Sequence, residues 1–275
     1  MCRITSSFIK LLEDIFYPAF CCVCKGRIDI RQSGTKDTEA ACCETYPSFA
    51  KIVESVICPS CANGFVPIQP PLCTTCGEMF KSDEGMDHVC GACIDFPKKF
   101  CTARAAGAYS GPLMPAIHAL KYNGRTGLAR PLGELLFISL AKWFDINQID
   151  MVVPVPLHKS KLRKRGFNQA YLLVRNWHRT ARSYGLALPR EKIKATVLAR
   201  TQKTGSQTKL SRKERIENVK GAFCVTREAD VSGKRVLLVD DVYTTGATVN
   251  ECAKTLLAGG AARVDVLTLA RAIRI

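Results

Sequence analysis

Eight of the fifteen cysteines form four pairs with the spacing Cys-x-x-Cys, and this pattern constrains the fold more than any other feature of the chain. A Cys-x-x-Cys turn directs two thiolates at one tetrahedral Zn²⁺, and two such turns complete its four ligands. We therefore expect two closed, structural zinc sites in a small N-terminal zinc-ribbon module. The ligands would be Cys21, Cys24, Cys58, Cys61, Cys73, Cys76, Cys90 and Cys93.

The sequence leaves open which cysteine pairs share a metal site. Thirteen residues separate Cys76 from Cys90, which favours a compact site made by the last two pairs. The first two pairs would form the same kind of site with a longer insert. Cys22, Cys42 and Cys43 leave the pairing open, and His88 is a weaker alternative ligand that we interpret as an exposed loop residue.

The N-terminal segment decides between metal and disulfides. Its first twenty residues place Lys10, Glu13 and Asp14 where a signal peptide would be apolar, so we interpret them as an amphipathic helix. Without an export signal we expect a cytoplasmic protein, in which thiols stay reduced and bind metal. Apolar stretches are also shorter than the roughly 18 residues of a membrane span, so no span is expected.

Charge points to anionic ligands. The sequence has 40 Lys and Arg residues and 24 Asp and Glu residues, which gives a formal net charge of +16 in 275 residues. This excess favours nucleic acid or phosphate-rich ligands, although a charged surface can also serve solubility alone.

Composition changes near residue 100, after which helix and strand patterns alternate. We predict an N-terminal helix and double zinc ribbon over 1–100, and an α/β domain with a parallel sheet flanked by helices over 101–275. The predicted strands are 151–156, 235–240 and 263–270. A polar basic loop is predicted over 200–215, and helices over about 111–120, 128–144, 168–185 and 248–257.

The segment "VLLVDDVYTTGATV", residues 236–249, carries the strongest functional signal. The pattern predicts a strand, a turn and the start of a helix. At such a helix start, free backbone N–H groups and the helix dipole bind phosphate. The turn offers small and hydroxyl residues, and Asp240 and Asp241 offer acceptors for two ribose hydroxyls. The pattern predicts a ribose 5-phosphate site with its phosphate on Thr244, Thr245, Gly246, Ala247 and Thr248.

This segment resembles the phosphoribosyl pyrophosphate (PRPP) motif of type I phosphoribosyltransferases. The stretches "DMVVPVPLHKSKLRKRGFNQA" and "RTQKTGSQTKLSRKERIENVKGAF", with the zinc-ribbon head, resemble the ComF family of competence proteins over nearly the whole chain. The resemblance implies a type I phosphoribosyltransferase fold, PRPP bound with Mg²⁺, and a role in DNA uptake and natural transformation. It places Asp240 and Asp241 on the ribose hydroxyls and the turn 155–158 near the pyrophosphate.

Basic residues follow that turn, and departing pyrophosphate needs cations. We select Arg163 and Arg165 as catalytic candidates. Six further residues are alternative candidates for stabilising the departing pyrophosphate: Lys159, Lys161, Lys164, Lys203, Lys209 and Arg212. The same basic turn, followed by Phe167, suits a single-stranded DNA backbone with an aromatic for base stacking, and a solvated surface is the third interpretation.

Three functions remain open at this point. The chain is a transferase with an unidentified acceptor, a protein that binds single-stranded DNA and DNA-uptake partners, or a PRPP sensor without turnover. We expect neither His118 nor His158 to be catalytic, and we expect His118 to be packed within an apolar helix.

Overall fold

The computed structural model describes residues 19–28, 46–82, 85–202, 212–226 and 231–273. The N-terminal amphipathic helix, Cys42, Cys43, Lys203 and Lys209 lie outside the described residues. In the described part of the chain, no helix has the length and apolar character needed to cross a membrane.

A four-stranded parallel sheet forms the centre of the fold, in the order β1-β6-β5-β2. Its two long strands are runs of apolar residues buried on both faces, as is typical of parallel sheets. A separate antiparallel pair joins β3 to β4. The strands are β1 (Ala103–Ala108), β2 (Met151–Pro154), β3 (Leu198–Arg200), β4 (Phe223–Val225), β5 (Arg235–Tyr243) and β6 (Arg263–Arg271).

Helices cover both faces of this sheet. The three in the cysteine-rich part are α1 (Phe49–Val53), α2 (Pro59–Ala62) and α3 (Gly91–Asp95). Those that follow are α4 (Leu113–Tyr122), α5 (Ala129–Trp143), α6 (Lys159–Arg165), α7 (Gln169–Val174), α8 (Trp177–Ser183), α9 (Arg212–Val219) and α10 (Ala247–Ala258).

The side chains of β5 alternate between two hydrophobic cores. Leu237 and Val239 pack with α4, α5, α7 and α8, whereas Val236 and Leu238 pack with α10. Cys21 joins the first core and Cys73 joins the second, so each cysteine group packs on one side of the sheet. The predicted fold class, a parallel α/β sheet flanked by helices with a zinc-ribbon head, is confirmed.

Four predicted elements differ from the structure, three of them in their bounds or continuity. The helix predicted over 168–185 is interrupted at Arg175 and Asn176 and forms α7 and α8. The loop predicted over 200–215 gives way to α9 at Arg212. The strand predicted to end at 240 continues to Tyr243, so both acids lie inside β5.

The basic stretch 159–165 is a helix, α6, where the sequence predicted a turn. His158 caps its start by accepting a hydrogen bond from the amide of Ser160, and Gly166 ends it with a left-handed φ of 83°. Lys, Leu and Arg favour helices, and cations in the last turn are stabilised by the helix dipole. The charge run is therefore fixed in place beside β2.

Candidate functional site

Two groups of four cysteines lie in the part of the chain that the structure describes. They are Cys21, Cys24, Cys58 and Cys61, and Cys73, Cys76, Cys90 and Cys93. All Sγ atoms of a group lie within 4.8 Å of one another, with 3.8 Å between Cys24 and Cys58 and 3.7 Å between Cys76 and Cys90. A tetrahedral Zn²⁺ with bonds of about 2.3 Å holds its sulfurs about 3.8 Å apart. Both groups fit structural zinc, and the fold brings the pairs together in the combination that their spacing favours.

Among the described candidate ligands, Cys22 and His88 are not members of either group. Cys22 is buried in the first core. His88 is exposed, its Nδ1 lies 3.0 Å from the carbonyl of Met86, and its ring stacks on Phe80 with 3.8 Å between centroids. The interpretation of His88 as an exposed loop residue agrees with this placement.

Arg271, at the end of β6, connects the second cysteine group to the carboxyl edge of the sheet. Its Nη2 lies 3.4 Å from Cys76 Sγ and 2.5 Å from a carboxylate oxygen of Glu78, and its Nη1 donates to the carbonyl of Cys76. The other side of the guanidinium lies over the ring of Tyr243. Sequence reasoning missed this residue, because its contacts join segments about two hundred residues apart.

The turn predicted to bind phosphate follows Tyr243 directly. Gly246 has a φ of 75°, and a Cβ added there would lie 2.2 Å from the hydroxyl oxygen of Tyr243, so only glycine fits. Thr244 and Thr245 precede it, and the amide of Ala247 lies 3.4 Å from Thr245 Oγ1. Ala247 and Thr248 begin α10, whose first amides have no acceptor within the helix. The backbone here has the form of an anion-binding helix start.

The two adjacent acids lie on opposite faces of β5, because side chains alternate along a strand. Asp241 is buried on the face covered by α4, where Lys121 Nζ lies 2.8 Å from its Oδ1. Its Oδ2 is buried without a hydrogen-bond partner among the described residues. That oxygen is an acceptor available to a hydroxyl group of a ligand.

Lys121 is a site residue that the sequence did not reveal. Helix α4 starts just after β1 ends and finishes beside Asp241, so both of its ends lie at the carboxyl edge of the sheet. Burial alone would lower the pKa of Lys121, but the charge of Asp241, its hydrogen bond, and the charges of Asp240 and Tyr109 together outweigh burial and raise that pKa. The ion pair therefore keeps a buried cation beside the predicted ribose site.

Asp240 lies on the other face of β5, towards Arg200 and Cys252. Burial and then the charge of Asp241 raise the pKa of Asp240 to about 7, against an ordinary value of 3.8. The positive charges of Lys121 and Arg200 oppose this rise. A divalent cation would favour the ionised carboxylate, and Mg²⁺ is commonly held by one or two carboxylates and substrate phosphates. Asp240 thus fits the expected Mg²⁺.

Lys161, Arg165 and Arg200 form a cluster of three cations, and Arg200 also lies near Asp240. The pKa of Lys161 is lowered by burial, and then by the charges of Arg200 and Arg165. Lys161 and Arg165 are four residues apart in α6 and share one face of it, whereas Arg163 is exposed and lies about 200° around the helix from Arg165. Of the two predicted catalytic arginines, the fold brings only Arg165 into this cation cluster. An anion bound there would relieve the repulsion.

An aromatic group lies beside the cluster. Tyr122, the last residue of α4, is 66% exposed, and the Arg165 guanidinium lies 5.4 Å from its ring centroid. The ring of His118 lies 5.3 Å from that of Tyr122 and 6.5 Å from that of Tyr109. His118 is exposed, so the expectation that it is packed in the core was wrong. It sits one helical turn from Tyr122 on the outer side of α4. Phe167, the aromatic predicted to stack bases, packs instead against the first core.

Comparison with known proteins agrees with this architecture. The phosphoribosyl transferase domain family matches residues 183–274, which include the strand, acids and turn described above. DNA utilization protein YhgH of Escherichia coli is 32% identical over 216 residues, covering 74% of this chain and 91% of the relative. Competence protein F of Haemophilus influenzae is 31% identical over 215 residues, covering 73% and 90%.

The chain belongs to the ComF family. Among solved structures, a glutamine phosphoribosylpyrophosphate (PRPP) amidotransferase from B. subtilis is 21% identical and covers 50% of this chain and 25% of its own length. The TM-score of that pair is 0.30, too low to support an argument. In this ComF chain the assignment of site residues therefore rests on the geometry of the β5 turn, the acids and the cations.

Proposed function

We propose that this protein binds PRPP together with Mg²⁺ at the carboxyl edge of the sheet and transfers its ribose 5-phosphate to an acceptor. The observation that supports this proposal most is that the two acids and the cluster of cations occupy different places at this edge of the sheet. The turn 244–248 suits the 5-phosphate, Asp240 and Asp241 suit the ribose hydroxyls, and the cation cluster suits the pyrophosphate.

The chain's own groups would supply positioning and electrostatics. Glycosyl transfer passes through a transition state with positive charge on the sugar and increasing negative charge on the leaving pyrophosphate. Arg165, Lys161 and Arg200 would stabilise that leaving group, and Mg²⁺ would supply further charge neutralisation when bound. Lys121 would hold the side chain of Asp241 in place through their ion pair. No general acid is required for this step.

Calorimetry with PRPP and Mg²⁺ tests the binding site. Asp241→Asn and Asp240→Asn keep the side-chain shape and should each weaken PRPP binding by about tenfold or more, since a hydrogen bond to a charged group contributes about 1.5–3 kcal/mol. Asp265→Asn is the control, because Asp265 pairs with Arg263 at the opposite end of β6. Wild-type affinity in both site variants would contradict the proposal.

Pyrophosphate release distinguishes transfer from sensing. The transferase hypothesis expects Arg165→Gln to lower the affinity for pyrophosphate and any PRPP-dependent release, while Arg163→Gln leaves both unchanged. A protein that binds PRPP but releases no pyrophosphate with any acceptor supplied would be a PRPP sensor.

A second proposal is that the protein acts in DNA uptake by binding single-stranded DNA. The names of two relatives, DNA utilization protein YhgH and Competence protein F, favour it. So does the outer face of α6, where Lys159, Arg163 and Lys164 are exposed. Each phosphate neutralised gives about 0.7 of a log unit of affinity per log unit of salt. Arg163→Gln with Lys164→Gln should flatten that salt dependence, and an unchanged slope would exclude this face as the DNA contact.

A further inference from the structure

Tyr122 combines three properties that do not occur together elsewhere among the described large aromatic side chains. It is the most exposed of those aromatics, a guanidinium lies over its ring, and its neighbour in sequence forms the buried ion pair of the site. An exposed aromatic ring contributes little to the hydrophobic core, so packing does not explain why Tyr122 lies beside the charged residues of the site.

The position of Tyr122 is fixed from two sides. Lys121 ties the end of α4 to Asp241, the acid proposed to hold the ribose. Arg165 ties Tyr122 to α6, which starts directly after the turn 155–158 proposed to lie near the pyrophosphate. A planar ring placed on Tyr122 would thus lie at the edge of the proposed PRPP site, between Asp241 and the cation cluster's Arg165.

The surroundings of Tyr122 suit a nucleobase. His118 lies 5.3 Å from Tyr122 and extends the aromatic surface along α4. Arg165 can place its planar guanidinium on an aromatic ring, and the nearby cations attract the phosphates that accompany a base in a nucleotide or a strand. Base–aromatic stacking contributes about 1–3 kcal/mol per base and tolerates every base.

We propose that Tyr122, flanked by His118 and Arg165, forms a stacking site for a nucleobase ring beside the PRPP site. The ring has two possible sources: a free base that accepts the ribose, or a base of a single strand. The proposal rests on the proposed PRPP site for its position, but stacking itself can be measured without PRPP.

Two probes separate these sources. The first is a pair of free bases, adenine and uracil, measured by calorimetry. The second is a labelled short oligothymidylate, measured by fluorescence anisotropy beside an abasic strand of the same length. The abasic strand reports contacts to the backbone alone.

Tyr122→Ala should lower affinity for the base-bearing probe by about tenfold, the equivalent of losing one stacked base. Tyr122→Phe should retain wild-type affinity, since it keeps the ring. Tyr171→Ala is the matched control: Tyr171 is also exposed, and it lies on the side of α7 opposite Gln169, the residue that accepts a hydrogen bond from Arg165. Binding of the abasic strand should not change in any variant.

A loss for free bases identifies an acceptor site, and a loss for oligothymidylate identifies a strand site. The proposal is overturned if wild-type protein binds neither probe, if Tyr122→Ala binds both as wild type does, or if it loses the abasic strand to the same extent. PRPP affinity measured on the same proteins keeps the two proposals apart: wild-type protein that stacks bases without binding PRPP contradicts the proposed function alone.

Discussion

The guanidinium of Arg271 lies over the ring of Tyr243, with 4.4 Å between its central carbon and the ring centroid. The same guanidinium contacts Cys76 Sγ at 3.4 Å. Because Gly246 packs closely on the ring of Tyr243, a continuous line of contacts leads from the second cysteine group to the turn 244–248. The zinc-ribbon head is thereby part of the support of the site.

Replacement of Arg271 should therefore affect phosphate binding. In Arg271→Gln, Tyr243 loses a buried cation–π contact of about 2 kcal/mol, and we expect affinity for ribose 5-phosphate to fall by about tenfold. Arg263→Gln, at the other end of β6, should leave that affinity unchanged. Calorimetry measures both. If Arg271→Gln lowers the melting temperature but keeps wild-type affinity for ribose 5-phosphate, Arg271 supports the fold alone.

The ion pair of Lys121 and Asp241 should show strong coupling. Lys121→Met leaves a buried carboxylate without its counterion, and we expect the free energy of unfolding to fall on the order of 3 kcal/mol. Adding Asp241→Asn to Lys121→Met should recover part of this loss, because no unpaired charge then remains. Urea unfolding of the two single variants and the double variant measures the coupling.

A surface ion pair provides the comparison. Lys51 and Glu54 lie 2.9 Å apart on an exposed turn, so Lys51→Met should change stability by about 1 kcal/mol or less. Purely additive effects at Lys121 and Asp241 would show that their contact contributes nothing beyond the separate side chains.

Asp240 should make the stability of the ligand-free protein depend on pH. Its pKa is raised to about 7 in the folded state from an ordinary 3.8, so the folded state holds this proton more tightly than the unfolded chain does. Its contribution to stability is present below about pH 4 and is lost as the pH rises through about 7. Asp240→Asn should hence be more stable than wild type above pH 7, with a melting temperature higher by about 2–4 °C for each kcal/mol.

That gain should disappear below about pH 4, where Asp240 is protonated in both states. Thermal unfolding across the pH range, with Asp265→Asn as a control, measures it. Asp240→Asn with the same stability as wild type at high pH would show that Lys121 and Arg200 already compensate the buried charge.

The two cysteine groups predict about two zinc ions per chain, by elemental analysis of protein purified without chelator. Cys21→Ser and Cys73→Ser should each lose about one ion, and limited proteolysis should then cut the affected part of the cysteine-rich region first. Only Cys73→Ser should also weaken ribose 5-phosphate binding, since Arg271 contacts the second group. A preparation with no zinc would contradict the metal assignment.

The local structure around the candidate site that the sequence predicted depends on neighbouring residues. The run of apolar residues before Asp240 makes a buried strand, and the glycine after Thr245 makes the turn into a helix. The spacing of the cysteines defines two metal groups for the same reason. These signals lie within short segments and do not need the tertiary fold.

The missed residues depend on the path of the chain. Lys121 meets Asp241 only because α4 ends at the carboxyl edge of the sheet, and Arg271 meets Cys76 across 195 positions of sequence. Arg163 and Arg165 look equivalent in a charge run, and only the helical form of α6 separates their directions. No local pattern carries this information.

Strand β6 is the last of the four parallel strands along the chain, yet it lies inside the sheet between β1 and β5. During synthesis, β1 and β5 therefore leave the ribosome before β6, the strand that pairs with both of them. The cysteine groups can collect metal early, but the second one gains its contact with Arg271 only when β6 has been made. Final assembly of the candidate site is thus a late event in synthesis, and a protein truncated before residue 263 would keep its metal-binding head while the site at the carboxyl edge of the sheet never forms.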